Sequence, residues 1–368
     1  MKKYMVRLTP VETYFFGGEA TFGDDTKQNY YVRSNRLPQV STLIGMLRYE
    51  VLRQKNLLYS YNEDKTKLPD KKSKIKDAVG EVGFVMDENV SHYGIIQKIS
   101  PLFIENRKLK KFYTPLPLDF GINVHEDSSF QMSCVDLSEP IGNGNDTECN
   151  NVGYACTAMK AEGFDAKEYD NYLYWVDNEN NKVSADEIFY QKEQVGITKT
   201  VQDPTDVSEA WDDSNAFYKQ ITYGLHADYG FAFTMTVSED IKQVSTKVFM
   251  GGNRSVFKME ITELTEDEEK NYGDSFCNYF GPLHKKGRYM LLGDAYFSNE
   301  ELYEIPFLWA QSQCNRYIVK RYDSGVDWKK PVKTDILFRL LTRGGVIYTE
   351  ELPESKEYLT NVGLNIFI

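Results

Sequence analysis

The stretch Leu37-Pro-Gln-Val-Ser-Thr-Leu-Ile-Gly-Met-Leu-Arg48, continued by Tyr49-Glu-Val-Leu52, decides how the chain is read. Leu43, Ile44, Leu47, Val51 and Leu52 recur at spacings of three and four, which gives a helix a single apolar face. Pro38 stands just outside it, and Ser41 or Thr42 is the expected N-cap, its hydroxyl taking an orphan backbone amide. A helix with one apolar stripe needs a sheet or another helix to lie on. The rest of the chain supplies strands.

Residues 4–8 alternate as a half-buried strand, and residues 13–16 continue in β-favouring types before the Gly17-Gly18 turn. Residues 92–105 read as two short strands broken at Pro101, and Pro115 with Pro117 forces an extended path. Residues 172–176 and 183–184 flank a polar turn and predict a hairpin. Residues 217–222 and 231–237 read as strands joined by a Gly-containing turn. Further strands are expected at 289–292, 317–322, 346–349 and 365–368. Thr265 followed by Glu268 is a capping box opening a second helix. The charge run 61–77 reads as a solvated loop or frayed helix, and 136–151 as a long polar loop. Strands outnumber helices, so the expected class is α+β, with mostly antiparallel sheets covered on one face. A chain of 368 residues accommodates two modest domains, placed here at 1–210 and 211–368.

With 41% hydrophobic and 27% charged residues, the composition is that of an ordinary globular chain. The 26 Tyr and 21 Phe suit interfaces, where a rigid ring buries area and a hydroxyl keeps a hydrogen bond. A net charge of −12 argues against a free-standing, non-specific nucleic-acid binder, which draws its affinity from phosphate neutralisation. It leaves room for a local basic groove, because screening makes nearby charges decisive, and for docking onto a basic partner. No signal-peptide pattern opens the chain, no apolar run approaches membrane-spanning length, and no membrane contact is expected. Five cysteines without a CxxC pair and four scattered histidines offer no zinc spacing, so no metal or cofactor is expected, and a reducing, cytoplasmic setting is.

Enzyme chemistry finds little footing. The chain has no phosphate loop, no GxGxxG, no HExxH and no GxSxG. His226, in Tyr223-Gly-Leu-His-Ala-Asp-Tyr-Gly230, is the histidine to test as the base of a metal-independent ribonuclease. The acids Glu266-Asp-Glu-Glu269 diverge around a helix and read as a solvated surface.

Features that suit RNA are more numerous. Gly251-Gly252-Asn253-Arg254 and Arg343-Gly344-Gly345 place glycines beside arginine, where backbone amides can approach a phosphate. Each also reads as a tight turn that needs glycine for its backbone. Arg33 and Arg36 precede the helix that starts near Ser41 and Thr42, Arg48 lies within it, and a helix start attracts phosphate. Other basic clusters, such as residues 107–111 and 285–288, are interleaved with aromatic residues, a mixture that suits single-stranded RNA.

The ordered set of short segments resembles the third-subunit family of the Cmr module, RAMP-superfamily proteins of type III-B CRISPR systems. Residues 37–48 resemble that family's Pro-x-x-x-Thr-Leu-x-Gly-x-Leu-Arg helix opening. Residues 101–104 followed by 113–119 are similar to its segment ending in Pro-x-Pro-x-Asp, and Val195-Gly-Ile197 followed by Ala216-Phe-Tyr218 to its Arg-x-Gly-Ile stretch. Met250-Gly-Gly-Asn-Arg254, Gly344-Gly-Val-Ile-Tyr348 and Gly363-Leu-Asn-Ile366 complete the order. The chain departs from the pattern at Gln194, where the family has Arg, and at Asn253, where it has Glu.

The resemblance implies two ferredoxin-like (RRM-like) domains with insertions and a β-hairpin thumb. It implies a non-catalytic subunit that grips the 5′ handle of the guide RNA. The implied partners are guide RNA, target RNA in the assembled complex, the large polymerase/cyclase-like subunit and the backbone RAMP subunits. The handle contacts expected on this chain are Arg33, Arg36, Ser41, Thr42, Arg48, Gly251, Gly252, Asn253, Arg254, Arg343, Gly344 and Gly345. The thumb is expected within residues 193–224, carrying Gln194, Val195, Gly196, Ile197, Lys199, Phe217 and Tyr218. The alternatives are an endoribonuclease that processes precursor guide RNA and a scaffold subunit that never touches RNA.

Overall fold

The computed structural model describes residues 1–17, 31–58, 68–80, 92–122, 173–197, 217–251, 254–273, 275–315 and 337–368, with short pieces between them. In chain order its opening elements are β1 (Lys2–Pro10), β2 (Tyr31–Arg33), α1 (Val40–Gln54), α2 (Leu68–Val79), β3 (Ile96–Ile99), β4 (Phe103–Asn106) and β5 (Lys111–Pro115). Later elements are named by their residues.

β1 is the spine of a nine-stranded sheet. Its alternation sends Tyr4, Val6 and Leu8 into one core and Met5 into another, on opposite faces. It pairs antiparallel with Tyr229–Val237 on one edge and with Ser255–Glu263 on the other. From edge to edge the sheet runs Lys182–Ser184, Tyr174–Val176, β5, β4, Tyr229–Val237, β1, Ser255–Glu263 and Val244–Met250. The break at Pro101 has a clear geometry: β4 pairs with one end of Tyr229–Val237 and β3 with the other. Ser100 bridges the gap, its Oγ accepting from the Thr234 amide at 2.9 Å. Strands from both sides of residue 210 share this sheet, and its pairing closes at Glu263.

α1 covers one face, burying Leu43, Ile44, Leu47 and Val51 against β1 and the strands beside it. The other face is also partly covered, which corrects the expectation of a sheet packed on one side only. Phe276, Phe280 and Leu283 pack there on Met5, Phe103, Phe112 and Ala232. The charge run condenses into α2, whose Ile75, Ala78 and Val79 are buried; residues 61–67 lie outside the described residues. The capping box at Thr265 is formed, and Ser298 forms another.

The start of α1 differs from the sequence expectation. Neither Ser41 nor Thr42 is the cap. Gln39 takes that position in extended backbone, and its carbonyl accepts from the amides of Thr42 at 2.9 Å and Leu43 at 3.2 Å. The Gln39 side chain makes no cap; its amide donates to Asn315 Oδ1 at 2.8 Å.

The C-terminal part forms a three-stranded sheet from Arg288–Met290, Val346–Tyr348 and Phe307–Trp309. It is clamped to the first part through Asp119, which is fully buried. Arg288 holds Asp119 with two hydrogen bonds of 2.6 and 2.7 Å, and Tyr348 Oη donates to it at 2.7 Å. Burial, with the Asp119 charge beside it, holds the Tyr348 phenol well above its ordinary range, so it stays the donor. The expected strand at 365–368 is a single bridge, Leu291 to Phe367.

Candidate nucleic-acid interface

Phe189–Ile197 and Phe217–Leu225 form a long antiparallel hairpin that stands apart from the main sheet. β2 adds to it in parallel, aligning Arg33 with Ile221. The Tyr14 and Tyr223 backbones exchange hydrogen bonds of 2.6 and 3.1 Å, which ties this small sheet to the segment that follows β1. Tyr223 is therefore fixed, 4% exposed, beneath two arginines. The Arg36 guanidinium lies 5.6 Å from its ring centroid and that of Arg33 5.8 Å, both within cation–π reach. Arg33 is exposed and Arg36 half-buried.

These residues rim a cavity of about 170 Å³ that also receives the start of α1 through Gln39 and Val40. Its far wall is Asp294, Gln313, Asn315, Leu340 and Arg343. Residues more than 250 positions apart thus meet at a helix N-terminus, where the backbone dipole is positive. Two arginines, aligned amides and carboxamide side chains provide charge for a phosphate and donors and acceptors for a base edge.

The sequence candidates separate here. Arg33, Arg36 and Arg343 converge on the one cleft, and Ser41 and Thr42 lie in the first turn of the helix that opens on it. Arg48 is further along α1 and half-buried. Arg343 is 3% exposed. Its Nε donates to Asp294 Oδ1 at 3.2 Å and its Nη1 to the Leu102 carbonyl at 2.7 Å. The amides of Arg343, Gly344 and Gly345 donate to Asp294, Leu291 and Thr342. This turn is thus no open anion nest. A Cβ on Gly345 would stand 2.6 Å from Ala310, so glycine is there for packing.

The second glycine turn has a similar account at its first residue. Gly251 has φ +77°, and a Cβ there would meet the Phe15 carbonyl at 2.3 Å. Arg254 is exposed at the turn's other end, while Gly252 and Asn253 lie outside the described residues. Phe16 links this turn to the cleft, its carbonyl accepting from the Asn35 amide at 2.8 Å.

On the hairpin, Gln194 and Val195 are exposed, and Gly196 pairs with Tyr218 and Ile197 with Phe217. Lys199 lies outside the described residues. His226 sits at the hairpin base with its ring 5.5 Å from Tyr190, and its amide donates to the Ile188 carbonyl. Among the described residues, no three His, Cys, Asp or Glu side chains group as metal ligands, and no helix is long and apolar enough to cross a membrane. Tyr223, Gln39 and Asn315 are the site residues that sequence reading missed. Tyr223 stood in the segment quoted for His226, but only the pairing with Tyr14 brings it under the arginines.

This antiparallel α+β chain, with its arginine-rimmed cleft and long hairpin, belongs by its sequence among the CRISPR-associated proteins. The family model described as CRISPR-associated protein (Cas_Cmr3) matches residues 6–297, and the chain belongs to that family. Two solved chains are similar to it. One is from a cryo-EM structure of the type III-B Cmr-beta bound to cognate target RNA and AMPPnP, state 1, at 12% identity and a TM-score of 0.44. The other is from the type III-B Cmr-beta bound to cognate target RNA, at 13% and 0.45. Each alignment covers 94% of this chain and 86% of the other. No curated protein matches the sequence significantly.

Proposed function

We propose that this chain is a non-catalytic subunit of a type III-B CRISPR effector complex and holds the 5′ handle of the guide RNA. Family membership supports the complex. The observation that carries the RNA reading is the pair Arg33 and Arg36 stacked over Tyr223 beside the start of α1. The arginines neutralise backbone phosphates, the helix start donates to them, and the carboxamides lining the cleft face a base. In this reading the Phe189–Ile197 and Phe217–Leu225 hairpin is the thumb. The order β4, Tyr229–Val237, β1, Ser255–Glu263, with α1 following β1, supports a ferredoxin-like core. The large polymerase/cyclase-like subunit and backbone RAMP subunits complete the grip, as an acidic chain requires.

The test is reconstitution of the complex with Arg33→Glu and Arg36→Glu combined. Guide RNA should be lost from the purified complex while all protein subunits remain. Undiminished guide content would overturn the assignment. The ribonuclease alternative is met by His226→Ala: metal-independent cleavage of repeat RNA that this change abolishes would favour it.

A further inference from the structure

The face of the main sheet opposite α1 is only half covered. The Phe276–Leu283 segment packs over Phe103, Phe112 and Ala232, and the edge hairpin Val244–Met250/Ser255–Glu263 remains open. Val248, Met250, Phe257 and Met259 of that hairpin point into the α1-side core. Phe249, Lys247 and Lys258, of opposite parity, face outward. Phe249 is 67% exposed, and Lys247 and Lys258 are exposed.

Two features of this face work against folding. Lys247 and Lys258 are directly opposed across the two strands, an arrangement of like charges that destabilises a sheet. An exposed aromatic on the last strand of a sheet is an association hazard. A lysine on an edge strand guards against pairing with another chain, which accounts for Lys247, and the Glu260 ion pair accounts for Lys258; neither accounts for Phe249.

The charge balance is local. Glu260, the outward-facing acid of this hairpin, is taken by Lys258 at 2.8 Å and approached by Arg107 Nη1 at 3.6 Å, and Glu105 and Glu268 lie beside it. Its carboxyl is accordingly held below its usual range, chiefly by the Lys258 hydrogen bond and against the opposing effect of burial. Glu105 is held by Arg7 at 2.9 Å. Lys247 has no acidic partner among the described residues. The Arg107 guanidinium extends the basic row over Gly230 to Thr9.

We infer that this open face is a second contact for single-stranded RNA, on the side of the sheet away from α1. Alternate residues on a strand stand about 7 Å apart, so Phe249 can stack one base while Lys247 and Lys258 meet the adjoining phosphates. The arrangement favours RNA over an acidic peptide. A peptide adding to the edge strand would bind its backbone edge, whereas the ring and both ammonium groups present themselves on the face.

The test uses the full chain and a fluorescently labelled oligouridylate, read by anisotropy at several salt concentrations. Lys247→Glu with Lys258→Glu should weaken binding by more than about tenfold and flatten its salt dependence. Phe249→Ala should weaken it about tenfold, and Phe249→Tyr should restore it. All three positions are exposed, so the variants should still fold and melt cooperatively. The Arg33→Glu/Arg36→Glu chain should still show the Phe249-dependent loss, even where it no longer retains guide RNA in the complex. Wild-type affinity in the lysine and Phe249→Ala variants, or no binding by any chain, would overturn the inference. So would variants that shed a protein subunit from the complex while oligouridylate affinity is unchanged.

Discussion

Two arginine neighbourhoods share the cleft wall and are built in opposite ways. Arg343 is buried, and its guanidinium is committed to Asp294 and a main-chain carbonyl. Arg33 and Arg36 sit at the rim against the Tyr223 ring. In sequence the two looked alike, as arginines beside turns or helix starts. Burial together with a carboxylate makes an arginine part of the fold, because removing either partner strands a charge in low dielectric. Exposure on an aromatic face is worth only about 0.5–1 kcal/mol. Arg33, exposed and held by the Tyr223 ring and a 3.5 Å hydrogen bond to Gln191, contributes little to stability and can turn to a ligand.

The sharpest way to break this contrast is at the most buried pair. Arg288→Ala should lower the unfolding free energy by about 3–5 kcal/mol, since Asp119 is left buried and charged. Replacing both, Arg288→Met with Asp119→Leu, should recover most of that, as apolar substitutes for a buried pair often do. Urea melts read both; a loss below about 1 kcal/mol in the single variant would end the argument that burial commits these groups to the fold.

The next test lies inside the cleft. Arg343→Ala should cost about 1.5–3 kcal/mol, the range for hydrogen bonds involving a charged group. Arg33→Ala and Arg36→Ala should each cost less, about 1 kcal/mol or below, the worth of a cation–π contact near the surface. Guide retention in the reconstituted complex should respond in the reverse order at fixed folded fraction. Equal stability losses at all three positions would erase the distinction.

The legible part of the sequence was the local part. The stripe Leu43, Ile44, Leu47 and Val51 did lie on a sheet, and the Thr265 capping box formed as its pattern implied. The break at Pro101 and the hairpin around Asp177 were likewise readable, because proline geometry and turn polarity act within a few residues. The pairing of β1 with strands more than 220 residues away had no local signature. The cleft suffered from the same gap: Gln39 meets Asn315 and Arg33 meets Tyr223 only through that pairing. The exposed aromatic Phe249 was invisible for a related reason, since alternation gives two faces and only the fold decides which is covered.

The smallest expected effect tests the correction at the start of α1. Thr265 and Ser298 accept from helix amides in complete capping boxes, so replacing either by Ala should cost about 1 kcal/mol. Ser41 and Thr42 are the second and third residues of their helix, past the Gln39 cap, and Ala there should stay within about 0.5 kcal/mol. Thermal melts separate the two sets. The same variants also sharpen the cleft reading, because a hydroxyl released from capping is free to donate to a phosphate at the helix start. Ser41→Ala should then leave the melt unchanged and still weaken guide retention, whereas Ser298→Ala should shift the melt and leave retention alone. Movement of both readouts together at Ser41 would return that residue to the fold and take it out of the site.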